Sequence, residues 1–233
     1  MAAEGERREK LLQLASAATF LAIVAVAVLV VVSASGGDGG DTELEGRAAV
    51  DRLLAGIPER GTVLGDPEAP VELVEFGDLQ CSTCKGYSEE ILPPIIESQV
   101  EEGEVKIDFR NFTIIDDQST AAGAAALAAA RQGRGWNYIE LFYRNQGEEH
   151  SGYVDGAFLK AIAAGAGVED IPKWQEERRK LVPEVEKTTA EAEALGFSGT
   201  PSFAVKGPKS RELKPLGTPE STADLEEAIE NAS

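Results

Sequence analysis

The chain has 233 residues, enough for one sizeable domain and a terminal extension, and its hydrophobic fraction of 42% is typical of a globular protein rather than a disordered one. Its formal net charge is −19, and because the charges of residues 1–10 cancel, the whole excess lies beyond the first apolar segment. So acidic a chain is not expected to bind nucleic acid or an anionic lipid surface, since phosphate recognition needs clustered Lys and Arg.

An apolar segment from Leu11 to Ala34 is long enough for a helix that crosses the hydrocarbon core of a membrane, which takes about 20 residues. Three basic residues precede it: Arg7, Arg8 and Lys10. The next is Arg47, so the positive-inside rule predicts a cytoplasmic N-terminus at residues 1–10, a single transmembrane helix or signal anchor at 11–34, and the rest on the periplasmic or cell-wall side. Cleavage near Ser33, among small residues, is the alternative and predicts a secreted protein.

Both interpretations place the remainder in an oxidising compartment, where disulfides persist. Residues 35–45 are rich in Gly and Asp and are predicted to form a flexible linker, followed by one domain over 46–233. Apolar residues at helical spacing predict a short helix that is closed by Gly56, and Gly and Pro residues predict a loop from Gly61 to Pro70. The apolar run from Val71 to Phe76 predicts a buried strand.

The middle of the domain combines a helix, a strand and a helical insert. The segment from Cys84 to Val100 is predicted as a helix that the Pro93-Pro94 pair bends. Alternation with period two predicts a strand over 105–109. Residues 118–195 are predicted to form an insert of four helices, the last of them notched or divided by Pro183.

Strand patterns return near the C-terminus. Residues 201–206 and 212–216 flank Gly207-Pro208 and predict a hairpin, and Thr218 with Pro219 is predicted to open a last helix. Strands that are separated by a helical insert predict an α/β fold, in which a mixed central sheet is flanked by helices and carries a helical insertion subdomain.

The chain has two cysteines, Cys81 and Cys84, placed where the predicted strand passes into a helix. Unpaired N–H groups and the positive end of the dipole stabilise a thiolate at a helix N-terminus, where reactive cysteines have a pKa of about 3.5–7.5. The thiolate is the species that attacks a disulfide. Cys81 is therefore predicted to be the attacking thiol, and Cys84, one turn further, the thiol that resolves the mixed disulfide.

Two other uses of the pair are open from the residues alone. A zinc site needs four ligands, and His150 is the chain's single histidine, so carboxylates or a second copy of the chain would have to complete it. A purely structural disulfide over two intervening residues constrains the unfolded chain very little. No metal and no cofactor are expected. A redox-inert module that binds clients or a metal is the alternative from another functional class.

The segments Val71–Tyr87 and Gly199–Pro201, together with the helical insert, resemble the DsbA-like branch of the thioredoxin superfamily, over about residues 60–231. The resemblance implies a thioredoxin-like fold in a membrane-anchored bacterial protein-disulfide oxidoreductase. It also implies that Pro201 follows a cis peptide bond and that the Thr200 backbone pairs with the client chain.

The reaction that the resemblance implies is oxidation of dithiols in newly exported, cysteine-containing proteins, with a membrane quinone-linked partner that reoxidises the pair. One departure from the family affects this expectation. Ser82 and Thr83 stand between the cysteines, where many members have Pro followed by His or an aromatic residue. The direction of catalysis is therefore open, and a reductase or isomerase on the same fold is the alternative.

Glu75 stands six residues before Cys81, where thioredoxin-like folds carry a buried acid. A carboxylate on a central strand is costly to bury. The predicted role of Glu75 is to accept a proton from Cys84 during resolution. The alternative is a solvated side chain, or one paired with a lysine.

Overall fold

The computed structural model describes residues 44–210 and 212–233. The predicted cytoplasmic N-terminus at 1–10, the predicted transmembrane segment at 11–34 and most of the predicted linker at 35–45 lie outside the described residues. Within the described ranges, no helix combines the length and the apolar character needed to cross a bilayer.

A six-stranded mixed sheet forms the centre of the described domain. Its strands are β1 (Glu59–Arg60), β2 (Val63–Leu64), β3 (Val71–Gly77), β4 (Val105–Asn111), β5 (Ser202–Lys206) and β6 (Lys214–Gly217). In space they follow the order β1-β2-β4-β3-β5-β6, with β3 parallel to β4 and the other neighbours antiparallel. β3 is buried on both faces, as expected for an apolar run inside a sheet that helices cover. The predicted mixed sheet is confirmed, and β1 and β6 are its outer strands.

The prediction of a loop from Gly61 to Pro70 is wrong for its first part. Glu59–Arg60 and Val63–Leu64 form a tight hairpin that adds two short strands to the edge of the sheet beside β4. Gly61 has a φ of +66°, a left-handed conformation that glycine adopts without steric cost and that the turn requires. Strands of two residues are too short to produce a detectable alternation, so the sequence pattern shows only the turn.

The helices frame the sheet and account for most of the remaining chain. They are α1 (Arg47–Leu53), α2 (Ser82–Gly86), α3 (Leu92–Ile95), α4 (Asp117–Ala130), α5 (Gly135–Arg144), α6 (Gly156–Gly165), α7 (Ile171–Arg178), α8 (Val182–Ala194) and α9 (Thr222–Ala232). The π-helical segment Tyr87–Ile91 joins α2 to α3, and a second one, Ile96–Val100, continues the same helical run to Val100. Because Pro93 and Pro94 supply no N–H groups, the hydrogen bonding of this run is irregular on both sides of the pair.

The helical insert contains five helices, α4 to α8, rather than the four predicted. Residues 171–194 form α7 and α8, so the predicted division of the last helix of the insert is confirmed, and Pro183 lies in the first turn of α8. A proline is favoured in a first turn because the N–H that it lacks has no helical partner there. Trp174 holds α7 in the core: its side chain is fully buried and its Nε1–H donates to the Ala125 carbonyl of α4 over 2.9 Å.

The last helix begins later than predicted, at Thr222 rather than at Thr218-Pro219. Ser221 caps it by accepting a hydrogen bond from the Asp224 N–H at 3.3 Å, and Asp224 in return accepts from the Glu220 N–H at 2.9 Å. This reciprocal arrangement satisfies orphan donors at the start of a helix and fixes its first residue. Pro219 lies before the helix, and its carbonyl accepts a hydrogen bond from the Tyr87 hydroxyl, on the helical run that follows the cysteines.

The core joins the insert to the sheet. The alanine-rich helix α4 packs against α5, α7 and α8, and α8 also packs on β4. Alanine side chains allow such close helix contacts, and the large aromatic rings of Trp136 and Trp174 fill the space between them. The insert therefore forms one body with the sheet, and its loops extend to the end of β3 where the cysteines lie.

Candidate active site

A short turn that makes several hydrogen bonds connects β3 to the cysteines. Asp78 is the first residue of this turn and is fully buried. One carboxylate oxygen of Asp78 accepts from the Gln80 N–H at 2.9 Å, and the other accepts from the Ile114 and Ile115 N–H groups at 2.8 and 3.1 Å. The Asp78 carbonyl accepts from the Cys81 N–H at 3.0 Å. These bonds fix the position of Cys81 relative to β3 and β4.

Cys81 is the N-cap residue of α2, and Cys84 lies inside its first turn. Both are free thiols in the structure. The Cys81 Sγ accepts from the Cys84 N–H at 3.4 Å, and the Cys81 thiol donates to the Thr200 carbonyl at 3.4 Å. Cys81 is 6% exposed and Cys84 is 0% exposed, so an incoming sulfur can reach only the first of them.

The predicted cis bond between Thr200 and Pro201 is confirmed. Pro201 is buried, and the Thr200 carbonyl lies against the Cys81 sulfur. Three segments that are distant in sequence, namely the end of β3, the start of α2 and the loop before β5, therefore meet at one sulfur.

The two thiols have opposite acid strengths. A hydrogen bond from Cys84 outweighs the effect of burial and, with further bonds from the N–H groups of Cys84 and Thr83, lowers the pKa of Cys81 to about 6. Burial raises the pKa of Cys84 well above its ordinary value, and the hydrogen bond to Cys81 adds to this effect. At neutral pH the pair is therefore a thiolate at Cys81 and a thiol at Cys84, the arrangement that nucleophilic attack followed by resolution requires.

Glu75 is buried in β3, at 1% exposure, so a solvated carboxylate is excluded. Its Oε1 has no hydrogen-bond partner among the described residues, and none of their ion pairs includes it. Burial is the main cause that raises the pKa of Glu75 to about 8, with repulsion by Glu140 and Cys81 adding to it. Glu75 in turn contributes to the raised pKa of Cys84. A carboxyl group that holds its proton at neutral pH thus interacts electrostatically with both sulfurs.

A second buried acid, Glu140 of α5, is a site residue that the sequence reasoning missed. Its Oε1 accepts from the Ser88 hydroxyl at 3.0 Å, and its Oε2 is paired with Arg144 at 2.5 Å. Burial raises its pKa, an effect that Arg144 opposes. The spacing of four residues between Glu140 and Arg144 on an otherwise apolar helix face was the available signal, since such pairs meet on a helix surface.

The 146–150 loop, which follows α5, was also missed. The Gln146 amide donates to the Leu79 carbonyl at 2.7 Å and to the Cys81 carbonyl at 3.1 Å. One oxygen of Glu149 accepts from the Ser82 N–H at 2.8 Å. His150 has an exposed side chain and a φ of +61°, and its Nδ1 lies 3.4 Å from a carboxylate oxygen of Asp116. The loop thus contacts the same turn that carries Cys81.

The chain matches the family model described as Thioredoxin over residues 58–231. It is 30% identical to a probable disulfide bond formation protein D of Bacillus cereus over 153 residues, which cover 62% of this chain and 69% of the relative.

Solved structures give the same fold. The oxidised BdbD of Bacillus subtilis superposes with a TM-score of 0.66 at 24% identity, over 74% of this chain and 92% of that one. Alpha-DsbA1 of Wolbachia pipientis superposes with a TM-score of 0.62 at 20% identity, over 73% and 89%. With a family model that covers most of the domain and a sequence relative named as a probable disulfide bond formation protein, the chain belongs to the thioredoxin family, in its DsbA-like branch, and is a protein-disulfide oxidoreductase.

Proposed function

We propose that the chain oxidises dithiols in exported proteins through a disulfide between Cys81 and Cys84, on the outer side of the cytoplasmic membrane. The observation that supports this most is the position of Cys81 at the N-terminus of α2, together with its low pKa of about 6. A sulfur that is stable as an anion leaves readily from a mixed disulfide and stabilises the reduced enzyme, and both effects drive electrons from the client to the enzyme.

The proposed reaction has two exchange steps. A client thiolate attacks the Cys81 Sγ, the Cys81–Cys84 bond breaks, and Cys84 leaves as a thiolate that takes up a proton. A second client thiolate then attacks the client sulfur of the mixed disulfide, which forms the client disulfide and releases the Cys81 thiolate. Two electrons pass from the client to the pair, and the same steps in reverse give reductase chemistry.

Glu75 is proposed to exchange the proton of Cys84 in these steps. With a pKa of about 8 it is a neutral acid at physiological pH, able to protonate the leaving Cys84 during oxidation and to accept the proton in the reverse direction. The low exposure of Cys84 supports this role, because bulk water has little access to that sulfur.

Thr200 and Pro201 are proposed to form the client site. The Thr200 carbonyl lies 3.4 Å from the Cys81 sulfur, so a chain joined to that sulfur must run alongside the Thr200 backbone. Backbone hydrogen bonding in a short β-like contact suits clients of diverse sequence, because it reads the main chain rather than side chains.

The reduction potential tests the direction of the reaction. Because a pKa of about 6 lies between those of DsbA and thioredoxin, about 3.5 and 7, we expect a potential between their values of about −120 and −270 mV. Equilibration of the protein with defined glutathione mixtures measures it, and oxidation of a reduced, unfolded disulfide protein is the matching activity assay. A potential at the thioredoxin end would support the reductase alternative, and failure to exchange with glutathione, with zinc bound in stoichiometric amount, would support a redox-inert module.

The apolar segment 11–34 supports a single-pass anchor with the N-terminus in the cytoplasm, and cleavage at its end would instead release the domain. We expect the full chain to stay in the membrane fraction after alkaline extraction. A membrane-impermeant thiol reagent should label the reduced Cys84→Ala variant in intact cells, because only Cys81 then carries a thiol. Label that appears only after lysis would contradict the external location.

A reoxidising partner is proposed because every client oxidation leaves Cys81 and Cys84 reduced. An oxidant held in the same membrane, such as a quinone-linked protein, would restore the disulfide at the place where the anchor retains the enzyme.

A further inference from the structure

Glu149 accepts a hydrogen bond from one of the few backbone N–H donors at the start of α2. One of its carboxylate oxygens accepts from the Ser82 N–H at 2.8 Å. The next N–H groups, those of Thr83 and Cys84, are directed to the Cys81 sulfur. The donors of this first turn are thus divided between the Glu149 carboxylate and the Cys81 sulfur.

The position of Glu149 is fixed by bonds at both ends of the 146–150 loop. Gln146 donates to two carbonyls of the active-site turn, at 2.7 and 3.1 Å, and at the other end His150 lies 3.4 Å from Asp116. Asp116 in turn accepts from the Gln80 amide at 2.5 Å, immediately before Cys81. The loop therefore holds the carboxylate beside the turn in the absence of any client.

We propose that Glu149 is a positioning residue that lowers the reduction potential of the Cys81–Cys84 pair, by taking the Ser82 N–H and by placing a negative charge beside the Cys81 thiolate. The proposal rests on the proposed use of these two cysteines as the redox pair. The bond from Ser82 also lowers the pKa of Glu149 and so favours the charged carboxylate.

The direction of the effect follows from the charges of the two redox states. The reduced pair carries a thiolate at Cys81 and a proton on Cys84, whereas oxidation removes two electrons and that proton and joins the sulfurs in a neutral bond. A neighbouring carboxylate therefore repels the reduced form only and favours the disulfide. Glu149 moderates the oxidising power that the start of α2 confers on Cys81.

Replacing Glu149 with Gln should make the enzyme more oxidising, because Gln keeps the acceptor for the Ser82 N–H and removes the charge. Glu149 is partly exposed, so its effect is screened by solvent. We expect the equilibrium constant for reduction by glutathione to rise roughly threefold, which is about 14 mV. The pKa of Cys81, followed by ultraviolet thiolate absorbance in the Cys84→Ala background, should fall by about half a unit.

Glu148→Gln is the matched control. Glu148 is the exposed neighbour of Glu149, and its side chain makes no hydrogen bond with any residue that the structure describes, so its variant should keep the native potential. An E149Q variant with the same potential and the same Cys81 pKa as E148Q would overturn the inference and leave the proposed redox pair intact. A native chain that does not equilibrate with glutathione would overturn the proposed function itself.

Discussion

Replacing Cys84 with Ala should convert the enzyme into a trap that remains joined to its clients. Cys81 keeps its place at the start of α2, where the N–H groups of residues 83 and 84 still stabilise its thiolate, and it still attacks client disulfides. Without the second sulfur, the mixed disulfide cannot be resolved from within the protein. We expect covalent adducts on non-reducing gels that disappear on reduction, and mass spectrometry should locate the bond at Cys81.

The control is Cys81→Ser in the same background, which should yield no adducts, because the chain has two cysteines and the double variant carries neither. In the otherwise native chain, Cys81→Ser should lower the rate of client oxidation by at least about 1000-fold, since the nucleophile of a covalent mechanism is lost. Adducts that persist in the double variant, or activity that survives Cys81→Ser, would contradict the assignment of Cys81 as the attacking thiol.

Replacing Glu75 with Gln should stabilise the reduced protein at neutral and alkaline pH. The pKa of Glu75 is about 8 in the folded chain and 4.5 ordinarily, so between these values the native state binds a proton that the unfolded state has lost. Stability therefore falls as the pH rises through this window. Gln does not ionise, and removing this cost should raise the free energy of unfolding by roughly 3 kcal/mol at pH 7. Urea unfolding over a series of pH values measures the difference.

Cys81 contributes to the pH dependence of stability with the opposite sign. Its pKa is about 6 in the folded chain against an ordinary 9.0, so its contribution to stability grows as the pH rises through that window. In the native chain, Glu75 lowers and Cys81 raises the stability with increasing pH over the pH range in which both groups act. In Glu75→Gln the fall due to Glu75 should be absent, so the rise due to Cys81 should be more pronounced than in the native chain.

The oxidised protein is the control, because neither sulfur titrates in a disulfide. There stability should fall with rising pH more steeply in the native chain than in Glu75→Gln. A constant difference between the two proteins at all pH values would show that Glu75 titrates like an exposed carboxyl group. In function, the same variant should slow resolution of the mixed disulfide by about 100-fold, at the low end of the usual contribution of a positioned proton-transfer group.

The parts of the fold that could be predicted from sequence are those encoded locally. The buried strand β3, the helix that begins beside the cysteines and the C-terminal hairpin each have a continuous pattern of apolar residues. The cis bond before Pro201 was predicted only because the chain resembles a family, since X–Pro bonds are mostly trans and nothing near Pro201 distinguishes this one.

The residues that were missed come to the site from a distance. Glu140 and Glu149 lie more than fifty residues beyond Cys81, on an apparent core helix and in a polar loop, and only packing of the insert against the sheet brings them near the sulfurs. Sequence periodicity indicates which face of a helix is buried, but it does not indicate which residues that face contacts. The hairpin β1–β2 was missed for a different reason, because each of its strands has only two residues.

The outer strands of the sheet bear on how such a domain avoids aggregation. An exposed strand edge offers unpaired backbone groups to any extended chain, and a protein-disulfide oxidoreductase acts on other protein chains. Here β1 has only two residues, and β6 exposes Lys214 and Pro215, a charge and a residue without an N–H donor. Short length, charge and proline are the features that discourage edge-to-edge pairing. The outer strands of the sheet therefore do not offer extended chains a template for association into β-rich deposits.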